Sequence, residues 1–295
     1  MRRIGILTAG SVAALPPGLL AALRDVGWVE GKNLVVERRM ADGKAEQVPA
    51  LAAELAGLPV EIIVTFGAVA GVAAKGATKS IPIVAITGDP VAFGLVPNMS
   101  RPGGNITGIA LISPELATKR LELLRELQPS AVRIGELVDP ANVYWHAVRK
   151  DYERAFRSLS MEPIFVEVTG PGDLDRGIAE VVRRRAQALV VRGDPLFTSN
   201  RERIARLAVS NGLPTIGEGR GLAEAGVLMS FGAVEGPLML RIAVLVDKIL
   251  KGANPGELPI EQPSKFELVI NLKTAKALGL TIPQPVLARA DEVIQ

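Results

Sequence analysis

An α/β fold built from two doubly wound, parallel-sheet (Rossmann-like) lobes is predicted from three observations. Short β-branched runs alternate with Ala-, Leu-, Arg- and Glu-rich segments of helical period. The runs are almost continuously apolar, as in Ile62-Ile63-Val64, which suits parallel strands covered by helices on both faces. The alternation also stops and restarts within 295 residues, a length of about two average domains at roughly 150 residues each.

In the first series the strands are expected at residues 3–8, 33–39, 60–65, 81–86 and 106–111, with helices at 16–26, 44–57 and 68–75. A strong helix at 114–127 opens the second series: Ser113 can cap it, Pro114 sits in its first turn and Gln128-Pro129 ends it. Strands follow at 132–138, 163–168 and 188–191, with weaker ones at 214–216 and 227–230, separated by helices at 141–159, 173–185 and 200–211. A long amphipathic helix at 237–250 leads to an extended segment through Pro259 and Pro263, a strand at 266–270, a helix at 273–278 and a short helix at 285–293. This tail is too short for a third domain, so it must pack back on the lobes. The lobes are expected to take residues 1–112 plus 233–263 and residues 113–232 plus 264–295.

Composition removes several kinds of function. With 48% hydrophobic and 22% charged residues the chain has ample material for cores. The absence of Cys excludes disulfides, Cys-ligated metals and a cysteine nucleophile, and the single His146 excludes a multi-His metal site. A net charge of +3, scattered along the chain, gives no footprint for nucleic acid. The most apolar window, 81–100, is broken by Pro82, Pro90 and Pro97 and reads as a strand plus loop. The start of the chain has two arginines and an apolar run that stops at Gly10, too short for a secretory signal, so the chain is expected to begin where its fold begins, either as a cytoplasmic protein or as one whose leader has been removed. No G-x-S-x-G, G-x-x-x-x-G-K-[ST] or H-E-x-x-H motif occurs, and Gly217-Glu218-Gly219-Arg220-Gly221 lacks dinucleotide spacing and reads as a loop. No cofactor is expected.

Ligands of open α/β sheets bind beyond the carboxyl ends of the strands. Those ends hold Gly10-Ser11, Phe66-Gly67-Ala68, Thr87 and Asp89 with Phe93 close by, and in the second half Asn142, Asp194 with Phe197, Glu218 and Phe231. The chain has only two Trp, two Tyr and seven Phe, and Phe66, Phe93, Tyr144, Trp145, Phe197 and Phe231 all fall in these turns. As a set they suggest a ring-bearing or apolar ligand, although each alone fits a core plug. Small residues at Gly10, Ser11, Gly67 and Ala68 would leave helix N–H groups free for a carboxylate. Asp89, Asp194 and Glu218 would accept an ammonium; Asp89-Pro90 and Asp194-Pro195 read equally well as caps or turns.

Several segments together resemble the substrate-binding proteins of bacterial ABC transporters, in the group related to the tryptophan/tyrosine transporter binding protein. They are Gly27-Trp28-Val29-Glu30-Gly31-Lys32-Asn33-Leu34, Ala50-Leu51-Ala52-Ala53-Glu54-Leu55, Ile81-Pro82-Ile83-Val84 and Gly88-Asp89-Pro90-Val91. Arg101-Pro102-Gly103-Gly104-Asn105-Ile106-Thr107-Gly108, Lys119-Arg120-Leu121-Glu122-Leu123-Leu124, Val246-Asp247-Lys248-Ile249-Leu250-Lys251-Gly252-Ala253 and the run from Gln262 to Lys276 complete the set. The resemblance implies a type I periplasmic binding fold with three crossovers and a small ligand clamped between lobes, with pocket positions at Phe66 to Ala68, Asp89, Asn142, Asp194 and Glu218. It also implies a periplasmic monomer, its leader absent from this chain, that docks on ABC permease subunits at the membrane without inserting.

The function expected is therefore solute binding for an ABC importer, the ligand being an amino acid or an aromatic or apolar carboxylate. Phe66, Phe93, Phe197 and Phe231 are expected to form its apolar wall. Two other readings share the architecture. A two-lobed enzyme, glycosyltransferase-like or racemase-like, would need nucleotide contacts or paired cysteines that the sequence lacks. The effector domain of a repressor would follow a helix-turn-helix, and none precedes Arg3.

Overall fold

A computed structural model describes residues 1–11, 18–111 and 114–295. In chain order its first elements are β1 (Arg2–Thr8), α1 (Leu19–Asp25), β2 (Leu34–Met40), α2 (Val48–Gly57), β3 (Ile62–Phe66), α3 (Ala68–Ala77), β4 (Ile83–Thr87) and β5 (Ile106–Ala110). Then come α4 (Pro114–Leu127), β6 (Arg133–Val138), α5 (Val143–Ser158), β7 (Glu162–Glu167), α6 (Leu174–Arg183), β8 (Ala188–Val191), α7 (Pro195–Ser199), α8 (Arg201–Ser210), β9 (Thr215–Gly217), α9 (Arg220–Glu224) and β10 (Met229–Ala233). The chain ends with α10 (Glu235–Leu250), β11 (Phe266–Asn271), α11 (Leu272–Ala277), α12 (Gln284–Leu287) and β12 (Glu292–Ile294). The cap expected at Ser113 and the start of the first helix, residues 16–17, lie outside the described residues.

The chain groups into two units, one of Met1–Ile112, Asn142–Ala147 and Glu235–Ser264 and one of Ser113–Ala141, Val148–Val234 and Lys265–Gln295. The first unit carries a five-stranded sheet in the order β2-β1-β3-β4-β5, parallel throughout. Alternation along the strands sends Ile4, Ile6, Ile62, Val64, Val84 and Ile86 to one face, where α1 and α10 cover them with Leu23, Ile242 and Val246. Leu7, Ile63, Ile83 and Ala85 go to the other face, beneath Ala52 and Leu55 of α2 and Ala70 and Ala74 of α3. Both faces are buried, which is why these strands read as unbroken apolar runs. The late helix α10 packs back on this unit as the length of the tail requires, and Trp28 Nε1 donates to Asp247 Oδ1 at 3.0 Å to hold it there. At Gly108, φ is +150° and a Cβ would lie 1.9 Å from the Ala85 carbonyl oxygen, so only glycine lets β5 pair with β4.

The second unit carries seven strands in the order β12-β11-β10-β9-β8-β6-β7. One pairing departs from the expected parallel sheet: β11 runs antiparallel to β10. The segment expected as a helix to residue 293 is a short helix followed by a strand. The Asp291 amide donates to the Leu268 carbonyl at 2.9 Å and the Leu268 amide donates to Asp291 Oδ2 at 2.8 Å, which hooks β12 beside β11. The glycine-rich stretch expected as a loop turns into α9. Gly219, at φ +90°, makes the turn, and Arg220 pairs with Glu224 and Glu292 at 2.6 Å each and with Glu267 at 3.5 Å. One face of the sheet packs Ile134, Val190 and Ile216 against Leu121 and Leu124 of α4 and Phe156 of α5; the other packs Leu137, Leu189 and Val191 against Ile178 of α6 and Ile204 of α8.

Candidate functional site

In the first unit β1, β3 and β4 end side by side, with Thr8 opposite Phe66 and Phe66 opposite Ile86 in the register. The buried Gly10 donates its amide to Thr8 Oγ1 at 3.0 Å, folding the turn after β1 back on its strand. The Asp42 amide donates to the Gly10 carbonyl at 3.2 Å and ties this turn to the one after β2. Ser11 is half-buried, and the helix start expected next to it falls within residues 12–17, outside the described residues.

The turn after β3 is the sharpest of the set. Gly67, at φ +92°, donates its amide to the Ile86 carbonyl at 2.9 Å and accepts at its own carbonyl from the Gly71 amide at 3.1 Å. The chain thus leaves the sheet and enters α3 within one residue, which suits a glycine. Gly67 at the N-cap has no side chain to cap α3 and the first turn holds no acidic residue, so the amides beginning at Ala68 carry the positive end of the helix dipole. Thr87 ends β4 beside this point. Alternation puts it on the face of Ala85, the face that α2 and α3 cover, and its hydroxyl is buried without a hydrogen-bond partner. Thr65 Oγ1 is buried and unpartnered too, but it lies under the helix, 3.6 Å from where a Cβ on Gly71 would be.

Two of the other expected residues of this unit, Asp89 and Asn142, hydrogen-bond to their own turns. Asp89 Oδ1 accepts from the Val91 and Ala92 amides at 2.9 Å each, capping the turn that brings Phe93 round. Phe93 is half-buried against the α2/α3 face, and Phe66 packs in the core of the α1/α10 face, 8% exposed. Asn142, which groups with this unit, is half-buried, and its carbonyl accepts from the Trp145 amide at 3.0 Å as α5 begins.

In the second unit Asp194 caps α7, Oδ1 accepting from the Leu196 amide at 2.8 Å, and Phe197 is fully buried among Leu196, Ile204 and the other residues of the α6/α8 face. Glu218, just past β9, has a side chain 29% exposed, and both of its oxygens are engaged: Oε2 accepts from the Gly193 amide at 2.9 Å and Oε1 lies 3.1 Å from Arg120 Nη2. Arg120, on α4 and 2% exposed, also donates Nε to the Phe231 carbonyl at 2.8 Å. The half-buried Phe231 ring lies 6.4 Å from that of Phe266.

Beneath Glu218 lies a second buried pair. Glu136, in the middle of β6 and fully buried, sits 2.8 Å from Nε of Arg192, whose guanidinium lies 5.0 Å above the ring of Tyr152. Alternation places Glu136, Arg192 and Glu218 on the face that α4 and α5 cover. Burial pushes the Glu136 carboxyl up to about 7, with Arg192 and Arg120 only partly opposing it, and lifts the Tyr152 phenol to about 12. Burial works the same way on Glu218, but Arg120, the Gly193 amide and Arg192 outweigh it and hold this carboxyl below its ordinary value. Glu218 is thus the ionised acid of the cluster.

Arg120, Glu136, Arg192 and Tyr152 were not among the expected site residues. A signal existed for two of them: Glu136 interrupts Ile134-Gly135-Glu136-Leu137-Val138 and Arg192 follows Val190-Val191, opposite charges on strands that become neighbours. Among the described residues no group of three or more His, Cys, Asp or Glu could hold a metal ion, and no helix is long and apolar enough to cross a membrane.

Residues 4–294 match the model of the ABC transporter substrate binding protein family. The chain belongs to that family. Among its relatives is the tyrosine-binding protein of Clostridioides difficile (strain R20291), 27% identical over 266 residues, which are 89% of this chain and 76% of the relative. A conserved domain protein from Vibrio cholerae O1 biovar El Tor has the same fold at a TM-score of 0.92 and 26% identity, with 99% of each chain covered. An ABC domain from Streptococcus pneumonia, solved in complex with L-Trp, matches at 0.90 and 24% identity, also over 99% of each chain. The architecture is that of a type I periplasmic binding protein. As a substrate-binding protein the chain binds a solute and is not an enzyme.

Proposed function

We propose that this protein binds an aromatic amino acid, gripping its carboxylate with the first unit and its ammonium with the second, and delivers it to the permease of an ABC importer. The reading is supported by one feature in each unit. The uncapped start of α3 and the orphan hydroxyl of Thr87 suit an anion, and the ionised Glu218 suits a cation. An α-amino acid carries both groups on one carbon. Phe93 and Phe231, the half-buried rings among the described residues of the set, supply apolar surface for a side chain, and the Clostridioides difficile relative is a tyrosine-binding protein.

In this reading the two units close on the ligand. Closure requires that the ligand bind the closed form more tightly than the open one, and a carboxylate and an ammonium engaged by different units provide that difference. Micromolar binding corresponds to about −8 kcal/mol, which a few water-excluded charged hydrogen bonds and one stacked ring supply. The closed monomer then docks on its permease on the outer side of the cytoplasmic membrane. Titration calorimetry against L-tyrosine, L-tryptophan, L-leucine and a sugar tests the ligand class. Heat from the aromatic amino acids at one-to-one stoichiometry is expected; heat from the sugar alone contradicts the reading.

A further inference from the structure

The segment Lys119-Arg120-Leu121-Glu122 places one arginine where its neighbours do not go. Lys119 and Glu122 pair with each other at 3.1 Å and are about 40% exposed, whereas Arg120 is 2% exposed. A buried arginine is costly to desolvate, and an ion pair with one partner is weak evidence that it is kept for stability. Its guanidinium is divided between two partners, Nε donating to the Phe231 carbonyl in the middle of β10 at 2.8 Å and Nη2 forming an ion pair at 3.1 Å with Oε1 of Glu218, just past β9. The Gly193 amide donates to the other Glu218 oxygen at 2.9 Å, so each carboxylate oxygen has a partner. Arg192 stands 2.8 Å from Glu136, and it is Arg120 that comes within 3.1 Å of the Glu218 carboxylate.

We propose that Arg120 is a positioning residue for recognition of the ligand's ammonium: it fixes the Glu218 carboxylate and the Phe231 backbone in one arrangement, and so sets how strongly the protein prefers an amino acid to the same molecule without its amine. The proposal rests on the reading of the function given above. The planar fork of arginine serves two acceptors in fixed directions, and the single ammonium of lysine does not reproduce it. Without the fork Glu218 keeps one amide partner, its burial is less opposed and its orientation is freed.

The test is calorimetry on the wild-type protein, R120K and R120M with L-tyrosine, L-tryptophan and their deaminated analogues, 3-(4-hydroxyphenyl)propionate and indole-3-propionate. The analogues keep the ring and the carboxylate and lack the amine. The preference for amino acid over analogue is expected to fall about tenfold in R120M and by a smaller factor in R120K, with affinity for the analogues nearly unchanged, as for loss of a charge-assisted contact. A purely structural role would weaken amino acid and analogue by the same factor, and that result overturns the proposal. If R120M does not fold, R120K decides it by the same ratio. A wild-type protein that binds none of the four compounds brings down the functional reading and this inference with it; a wild-type protein that binds, with an unchanged ratio in the variants, brings down this inference alone.

Discussion

Glu136 and Arg192 meet at 2.8 Å inside the second unit, with side chains 0% and 6% exposed. The pair is buried deeply enough that Arg192 does not restore Glu136 to an ordinary acid, and its carboxyl titrates near 7. In the unfolded chain it titrates near 4.5. Between those values the folded state binds more protons than the unfolded one, so this group's contribution makes stability fall as pH rises through the window and level off above it. In E136Q that slope is gone. The melting temperature of E136Q relative to wild type is therefore expected to rise from pH 4.5 to pH 8, by the equivalent of about 3 kcal/mol at most. Parallel melting curves at the two pH values check this, and a difference independent of pH contradicts it.

Thr87 and Thr65 separate binding from stability. Both hydroxyls are buried without partners, so replacing either by valine removes an unsatisfied polar group and is expected to leave stability unchanged or raise it by about 1 kcal/mol. Thr87 ends β4 beside the turn into α3, whereas Thr65 lies under the helix. T87V is expected to weaken amino-acid binding by about tenfold, the worth of one hydrogen bond to a charged group, while T65V binds like wild type. Urea unfolding and calorimetry on the two variants give both readouts.

Phe197 was expected in the ligand's apolar wall, and its side chain has no exposed surface. F197A is expected to cost about 3–5 kcal/mol of stability through the cavity it leaves in the α6/α8 core. Phe231 is half-buried in β10, and if it lines the proposed site, F231L is expected to keep most of its stability while losing affinity for ring-bearing ligands. The measurement is the free energy of unfolding of each variant beside its affinity.

Gly108 admits no side chain, since a Cβ would come 1.9 Å from the Ala85 carbonyl oxygen. G108A must open the β4–β5 pairing, and a loss above about 4 kcal/mol is expected. Soluble yield and urea unfolding check it; a variant as stable as wild type would show that β5 sits differently.

The strands of both sheets were legible because burial on two faces makes them unbroken apolar runs, as at Ile62-Ile63-Val64 and Ala188-Leu189-Val190-Val191. The tail was less so: β12 is three residues long, and it is a strand because Asp291 bonds to Leu268, a partner 23 positions away. Asp89 and Asp194 were open between capping and binding, and in both the Oδ1 atom is spent on the chain's own amides. The least legible feature was the buried charge. Arg120 lies in a helix rich in charged residues, and nothing local separates it from Lys119; only the packing of α4 across β9 and β10 decides that it goes inside.

The central claim, that one molecule is held by its carboxylate at α3 and by its ammonium at Glu218, is tested most directly by the crystal structure of the protein grown with L-tyrosine. The account predicts the ligand carboxylate within hydrogen-bonding distance of the α3 amides and Thr87 Oγ1, and the ammonium on the Glu218 carboxylate. A ligand bound away from both groups, or with its two charged ends exchanged, would contradict it.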